Sequence, residues 1–262
     1  MSLDIDRHAH LASPIQRWDP RFKIASLMLL ILSIALVHSI ALVLGGLVIA
    51  TVLLLLSRIP LDFVAQGLKW IVLFLLPFFI ILPLTYPTET GLYFLGMPFA
   101  LEGLRLSVLI VVKALAIVLI AYVIFGSARF DINLIALQHL KCPSVFVQIM
   151  LFTYRFIFLF LSEMRRMDTA MKARGFVKKG NLYTLKAMGG FVGTLLIRSF
   201  ERTERIYKAM LSKGYQGQFH TLVGFKAEGK DFIKAALIIL VAVALFGLDM
   251  TGMFAQAEHG WI

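Results

Sequence analysis

Five long apolar runs, residues 22–37, 40–56, 70–84, 104–125 and 232–248, constrain this chain more than any other feature. Each approaches the roughly 20 apolar residues a helix needs to cross about 30 Å of hydrocarbon, where the backbone must satisfy its own polar groups. Soluble domains are about 45 to 50% apolar and 25% charged. This 262-residue chain is 60% hydrophobic and 16% charged, with mean hydropathy +0.86. It is therefore expected to be an all-α membrane protein with about five transmembrane helices. His38-Ser39 separates the first two runs, which read as a hairpin with a very short turn. The stretch from Arg58 to Lys69 carries Pro60, Asp62 and Gln66 and reads as a short loop. Pro77 and Pro83 interrupt the third run, so that helix is expected to be kinked and packed on neighbours that satisfy its freed carbonyls.

Charge fixes the expected topology. Basic residues near span ends stay in the cytoplasm, and 18 of the 26 Lys and Arg residues fall between Arg129 and Lys234. Arg7, Arg17 and Arg21 precede the first run with Lys23 at its start, and Arg58 and Lys69 lie between the second and third. The segment from Tyr86 to Gly103 carries Glu89 and Glu102 and neither Lys nor Arg. These placements predict a multi-pass inner-membrane protein with its N-terminus cytoplasmic and its C-terminus outside. Three regions follow: residues 1–126, an N-terminal segment plus four spans; residues 127–230, a large cytoplasmic-side insertion of amphipathic helices; and residues 231–262, the last span and a short external tail. The first twenty residues hold Asp4, Asp6, Arg7, Arg17 and Asp19 without an apolar core, so no removable signal peptide is expected.

Residues 145–161 are apolar enough to be a sixth span, but crossing there would carry Arg165 and Arg166 outside. Gln148, Arg155 and Ser162 recur at heptad spacing along one stripe, so this segment reads as a helix lying at the inner interface. Residues 185–197 read the same way, with Gly189, Gly190 and Gly193 suited to a close helix crossing. The alternative is an extra pair of spans, which leaves both termini where they were.

Within the basic insertion one short pattern occurs twice. Arg166, Ala170, Met171 and Gly175 recur at an offset of 39 as Arg205, Ala209, Met210 and Gly214. Ala173-Arg174-Gly175-Phe176 becomes Ser212-Lys213-Gly214-Tyr215, so the small, basic, glycine and aromatic characters persist. Glycine just past a helix adopts the left-handed conformation cheaply, and a cation in the last turn suits the helix dipole. Capping alone explains the glycine and the cation, but not a small residue before them and an aromatic after. Two matched ends fit two equivalent partner sites on a two-fold or pseudo-two-fold dimer. Nucleic acid is excluded as a partner, because Asp131, Glu163, Asp168, Glu201, Glu204, Glu228 and Asp231 interleave with the cations. Glu201 with Arg205 and Glu204 with Lys208 are spaced as helix ion pairs. Membrane lipid is a partner that clustered cations beside a span attract.

Three stretches resemble the T components, the transmembrane scaffold subunits, of energy-coupling factor transporters, a class of ABC importer. Trp18-Asp19-Pro20-Arg21-Phe22-Lys23 is similar to that family's Leu-Asp-Pro-Arg-x-Lys opening. Tyr154-Arg155-Phe156, leading through Glu163 and Arg166 to Ala173-Arg174-Gly175, looks like its first Ala-Arg-Gly coupling motif. Arg198-Ser199-Phe200-Glu201-Arg202 leads through Arg205 to Ser212-Lys213-Gly214, where the second would fall. There Lys keeps the charge and loses the planar bidentate fork. The resemblance implies that the ends at Ala173, Arg174, Gly175 and at Ser212, Lys213, Gly214 dock on two ABC ATPase subunits. It further implies a separate small membrane subunit that captures substrate, and Arg155, Glu163, Arg166, Arg198, Glu201 and Arg205 as supporting residues. Ser13-Pro14 and the chain length look most like the Q-type subunit of cobalt or nickel importers, with vitamin import such as biotin the competitor. No Gly-x-x-x-x-Gly-Lys-Ser/Thr loop is present, so ATP belongs to partner subunits and this chain is expected to be non-catalytic with no cofactor of its own.

The remaining candidates have plainer readings. His8 and His10 lack a third ligand at fixed spacing, so no metal site is expected. The lone Cys142 excludes an internal disulfide. Lys113, inside the fourth run, must face a bundle interior or snorkel, or else meet the substrate-binding partner. Asp19 can cap the first helix with Pro20 at its first position. Met164, Met167 and Met171 form an adaptable packing face. A membrane-embedded transferase would need acids or histidines converging within the spans, and a channel would need polar linings there. The runs supply neither.

Overall fold

A computed structural model of the chain describes residues 13, 15–16, 18–85, 93–94, 97–98, 101–217, 225 and 227–251. His8, His10, Pro14, most of the 86–100 segment with Glu89, and the tail beyond residue 251 lie outside the described residues. The helices are α1 (Pro20–Leu36), α2 (Ile40–Ser57), α3 (Leu61–Leu75), α4 (Phe78–Thr85), α5 (Leu101–Gly126), α6 (Phe130–His139), α7 (Ser144–Ala173), α8 (Leu182–Ser212) and α9 (Gly229–Met250). The only strands among the described residues are β1 (Tyr93–Phe94) and β2 (Met97–Pro98), an antiparallel pair of two residues each. Contacts separate the described residues into a bundle, 13–136 and 225–251, and a second unit, 137–217; the boundary falls within α6.

In the bundle α1 lies against α5 and α9, with Leu27 and Leu30 fully buried. Ser33 Oγ donates to the Ala242 carbonyl across that interface at 2.6 Å. Helices in lipid gain little from leaving water, so van der Waals fit and such cross-helix hydrogen bonds hold them. Beyond the last turn of α1, Asp249 accepts from the His38 and Ser39 amides at 3.1 Å, which fastens the α1–α2 turn to the end of α9. Lys113 Nζ donates to the Ala35 carbonyl at 2.9 Å, so it faces α1 and serves a carbonyl of its last turn.

The third apolar run does break at its first proline. α3 stops at Leu75, residues 76–77 form a turn, and α4 resumes at Phe78 with Pro83 buried inside it. Ser107 Oγ of α5 lies 3.0 Å from the Phe78 carbonyl, a neighbouring hydroxyl serving the broken helix. Gly103 allows this approach: a Cβ there would sit 2.6 Å from the Leu82 carbonyl oxygen and 2.7 Å from Pro83 Cα. The segment up to Lys69, expected as a loop, is helical from Leu61. Its polar residues Asp62, Gln66 and Lys69 stand at intervals of four and three, which places them on one helix face.

Among the described residues five segments are long and apolar enough to cross a membrane: α2, α3–α4 (Leu61–Thr85), α5 from Glu102, α7 and α9. This set exchanges one member with the sequence expectation. α1, at 17 residues, is about 25 Å long, and α7 qualifies by its apolar first half.

In the second unit α7 and α8, of 30 and 31 residues, form an antiparallel hairpin. Residues Ile149–Phe160 share one hollow with Thr203–Tyr215, Glu163 pairs with Arg198, and Met171 shares another hollow with Thr184 and Ala187. Pairing partners thus run in opposite directions. A Cβ added at Gly189, Gly190 or Gly193 would meet nothing within 4 Å, so the close crossing expected of them is not made within the described residues.

Candidate functional site

Both copies of the repeat fold into the same helix end. At the first, Gly175 has φ +80°, its amide donates to the Lys172 carbonyl at 3.0 Å, and the Phe176 amide donates to Met171 at 3.1 Å. At the second, Gly214 has φ +84°, its amide donates to Leu211 at 3.0 Å, and the Tyr215 amide donates to Met210 at 3.0 Å. Each is a Schellman motif, in which two nested backbone bonds satisfy carbonyls that the helix would otherwise leave open. Such motifs are commonly closed by an apolar contact between the residue after the glycine and one a turn earlier. Phe176 and Met171 line one hollow, and Tyr215 and Met210 line another. The aromatic after each glycine therefore stands where the closing apolar residue of such a motif stands. Tyr215 Oη also donates to Gln148 Oε1 at 3.1 Å, and Gln148 Nε2 donates to the Gly217 carbonyl at 3.2 Å.

Folding leaves over Ala173-Arg174 and Ser212-Lys213. All four residues are exposed, and neither cation has an ion-pair partner among the described residues. Several other cations of the hairpin are paired. Asp168 takes Lys172 at 2.7 Å and Lys178 at 3.2 Å, which ties the segment after the first tip back onto α7. Lys208 meets Glu204 at 2.8 Å and Arg205 meets Glu201 at 4.0 Å, the two pairs expected from spacing.

Of the supporting residues, Glu163 and Arg198 form the ion pair that joins α7 to α8. With Glu201, Arg202 and Arg205 they line a hollow of about 260 Å³. Arg155 and Arg166 are exposed and are not brought into it. The Asp19-Pro20-Arg21 motif lies in the bundle, apart from the tips in sequence and fold unit. Asp19 caps α1 by accepting from the Arg21 amide at 3.0 Å, with Pro20 opening the helix. The Arg21 side chain holds both Asp19 oxygens, at 3.2 and 3.0 Å. Sequence reasoning gives no role to Lys23, Phe225 or Asp249. Lys23 sits inside the recognised opening motif, whereas the others join residues more than 200 apart and leave no local signal.

The described residues contain no group of three or more His, Cys, Asp or Glu placed to hold a metal. Bundle and hairpin together define a multi-pass, all-α membrane protein that carries two long amphipathic helices with matched basic tips. The model of the cobalt transport protein family CbiQ matches residues 12–221, and the chain belongs to that family. An uncharacterized protein of Methanocaldococcus jannaschii is 28% identical over 254 residues, covering 92% of this chain and 85% of that one. The energy-coupling factor transporter transmembrane protein EcfT of Staphylococcus aureus is 27% identical over 266 residues, covering 96% and 98%. The cobalt transport protein CbiQ of Rhodobacter capsulatus is 26% identical over 113 residues, covering 43% and 46%. The resemblance read from the motifs thus holds: the chain is a transmembrane component of the energy-coupling factor type, a non-catalytic subunit.

Proposed function

We propose that this chain is the coupling scaffold of an ATP-driven importer, docking one ABC ATPase subunit at each basic tip and passing their motion to a small substrate-binding membrane subunit. One observation carries the reading: two helix ends of the same backbone design each present an exposed small residue and an exposed cation that is unpaired among the described residues. A cation free of intramolecular partners is available for a carboxylate or carbonyl on another surface. The family and its relatives supply the transporter context, and the family description favours cobalt as substrate, with nickel kept as the alternative read from the sequence. Vitamin import through the same scaffold is the second reading, favoured by near full-length similarity to the EcfT relative, whose name gives no metal.

In this reading α1, α2, α3–α4, α5 and α9 cross the inner membrane, with residues 127–230 on the cytoplasmic side and the C-terminus outside. α7 lies against lipid at the inner surface, because a crossing there would export Arg165 and Arg166.

Co-purification in mild detergent tests the proposal. The native chain is expected to bring down two ATPase copies and one small membrane protein. Arg174→Glu is expected to lose the ATPases and radiolabelled cobalt uptake while inserting normally in the membrane. Lys213→Arg is expected to keep both. Normal uptake by Arg174→Glu, or a native chain that purifies alone and active, overturns the reading.

A further inference from the structure

The chain leaves the bundle through α6 and returns to it at Phe225. Both connections are held, on the bundle's own side, by the two cations of the Asp19-Pro20-Arg21-Phe22-Lys23 motif. On the return, Arg21 Nη2 donates to the Phe225 carbonyl at 3.5 Å, and the guanidinium carbon stands 5.0 Å from the centroid of the Phe225 ring. That geometry joins a charge-assisted hydrogen bond to a cation–π contact. The same guanidinium is oriented by both oxygens of Asp19, the cap of α1. Just beyond, Glu228 and Asp231 form a reciprocal capping box at the start of α9, and the Phe22 and Phe232 rings lie 4.5 Å apart.

On the outgoing side Lys23, with no exposed surface, donates to Ser127 Oγ at 2.9 Å. Ser127 follows the last residue of α5 and itself donates to the Val123 carbonyl, so the ammonium sits at the negative end of that helix. Asn133 Nδ2 of α6 donates to the Ile124 carbonyl at 3.3 Å and fixes α6 to the same end of α5. Burying an ammonium against one hydroxyl is unfavourable, and methionine would fill the space without desolvating a charge. Stability alone therefore does not explain a lysine here. What it supplies is an oriented tie between the first turn of α1 and the exit of α5.

We infer that Arg21 and Lys23 are positioning residues that clamp the outgoing and returning connections to one turn of α1, so that displacement of residues 137–217 is delivered to α1, α5 and α9 together. The clamp gives the motif a mechanical role beyond capping, and its part in transport rests on the coupling function proposed above.

The test uses the assembled complex in lipid vesicles, comparing the native chain with Lys23→Met, Ser127→Ala and Phe225→Leu. Phe225→Leu keeps the backbone carbonyl and removes only the ring, and Ser127→Ala removes only the hydroxyl, so both remain informative if Lys23→Met fails to fold. The expected result is that ATPase subunits stay bound while substrate imported per ATP hydrolysed falls by about fivefold or more, the lower range of measured couplings between sites. Amide hydrogen exchange in residues 127–136 and 225–231 is expected to accelerate in the same variants. Unchanged import per ATP together with unchanged exchange in Ser127→Ala and Phe225→Leu overturns the clamp. Should the native chain bind no ATPase, the coupling reading fails, and the exchange rates still decide whether the clamp exists.

Discussion

Gly175 and Gly214 show how a single residue sets the direction of a functional side chain. At φ +80° and +84° they occupy the left-handed region, and a Cβ at either would meet nothing within 4 Å. Backbone conformation, rather than space, requires glycine here. An L-residue in that region loses about 1 to 2 kcal/mol, which is roughly a 5- to 30-fold change in the population of the capped tip. Gly175→Ala is therefore expected to weaken ATPase binding at the first tip by about that factor while the thermal midpoint of the bundle stays unchanged. Gly175→Asn, which tolerates the left-handed region better, is expected to fall between. Titrating purified ATPase against each variant reads this directly, and equal affinity for all three would show that tip geometry does not govern docking. The two tips differ in charge geometry as well: Arg174 offers a planar fork and Lys213 a point charge, so the first is expected to be the more sensitive to substitution.

Elements in this chain separate into those that meet another helix and those that do not, and its glycines report which. Gly103→Ala would push a methyl to within 2.6 Å of backbone in α4, where no flexible side chain can give way. Overpacking of that kind typically costs about 1 to 3 kcal/mol. Gly189→Ala, in the first third of α8, meets nothing within 4 Å and is expected to raise helix stability by about 0.5 to 1 kcal/mol. Thermal unfolding in detergent should move down for the first and not for the second; a loss of stability at Gly189 would mean that the hairpin closes there. The same contrast explains what is legible in the sequence. Apolar length locates four of the five span-capable segments among the described residues, and the repeat locates both tips to the residue, because each signal is local. The ion pairs at positions 201 and 205 and at 204 and 208 are equally legible from one turn of helix. The start of α3 is not, because Asp62, Gln66 and Lys69 read equally well as the polarity of a loop and as one face of a helix. The closing position of the aromatic after each glycine is hidden because the residues that share its hollow, Met171 and Met210, lie inside the same repeat. Asp249, Phe225 and Ser127 act on residues more than 100 positions away, and a single sequence holds no trace of such pairings.

At the scale of the whole molecule, length decides how many partners two tips can serve. The first tip is joined to the beginning of α8 through Phe176, Asn181 and Thr184, which share one hollow, and the second tip is the other end of α8. The 31 residues of α8 at about 1.5 Å each therefore place the tips on the order of 45 Å apart. A small domain is only about 30 Å across, so one compact ATPase domain does not reach both. Each molecule should bind two ATPase copies through separate ends. Cys142 is the single cysteine, so Cys142→Ser gives a background in which Ala173→Cys and Ser212→Cys can carry a short photo-crosslinker one at a time or together. Each single variant is expected to yield a product of one chain with one ATPase. The double variant is expected to yield one chain with two. If it gives only the one-to-one product where both singles react fully, a single subunit spans both tips, and the two-site scaffold is wrong.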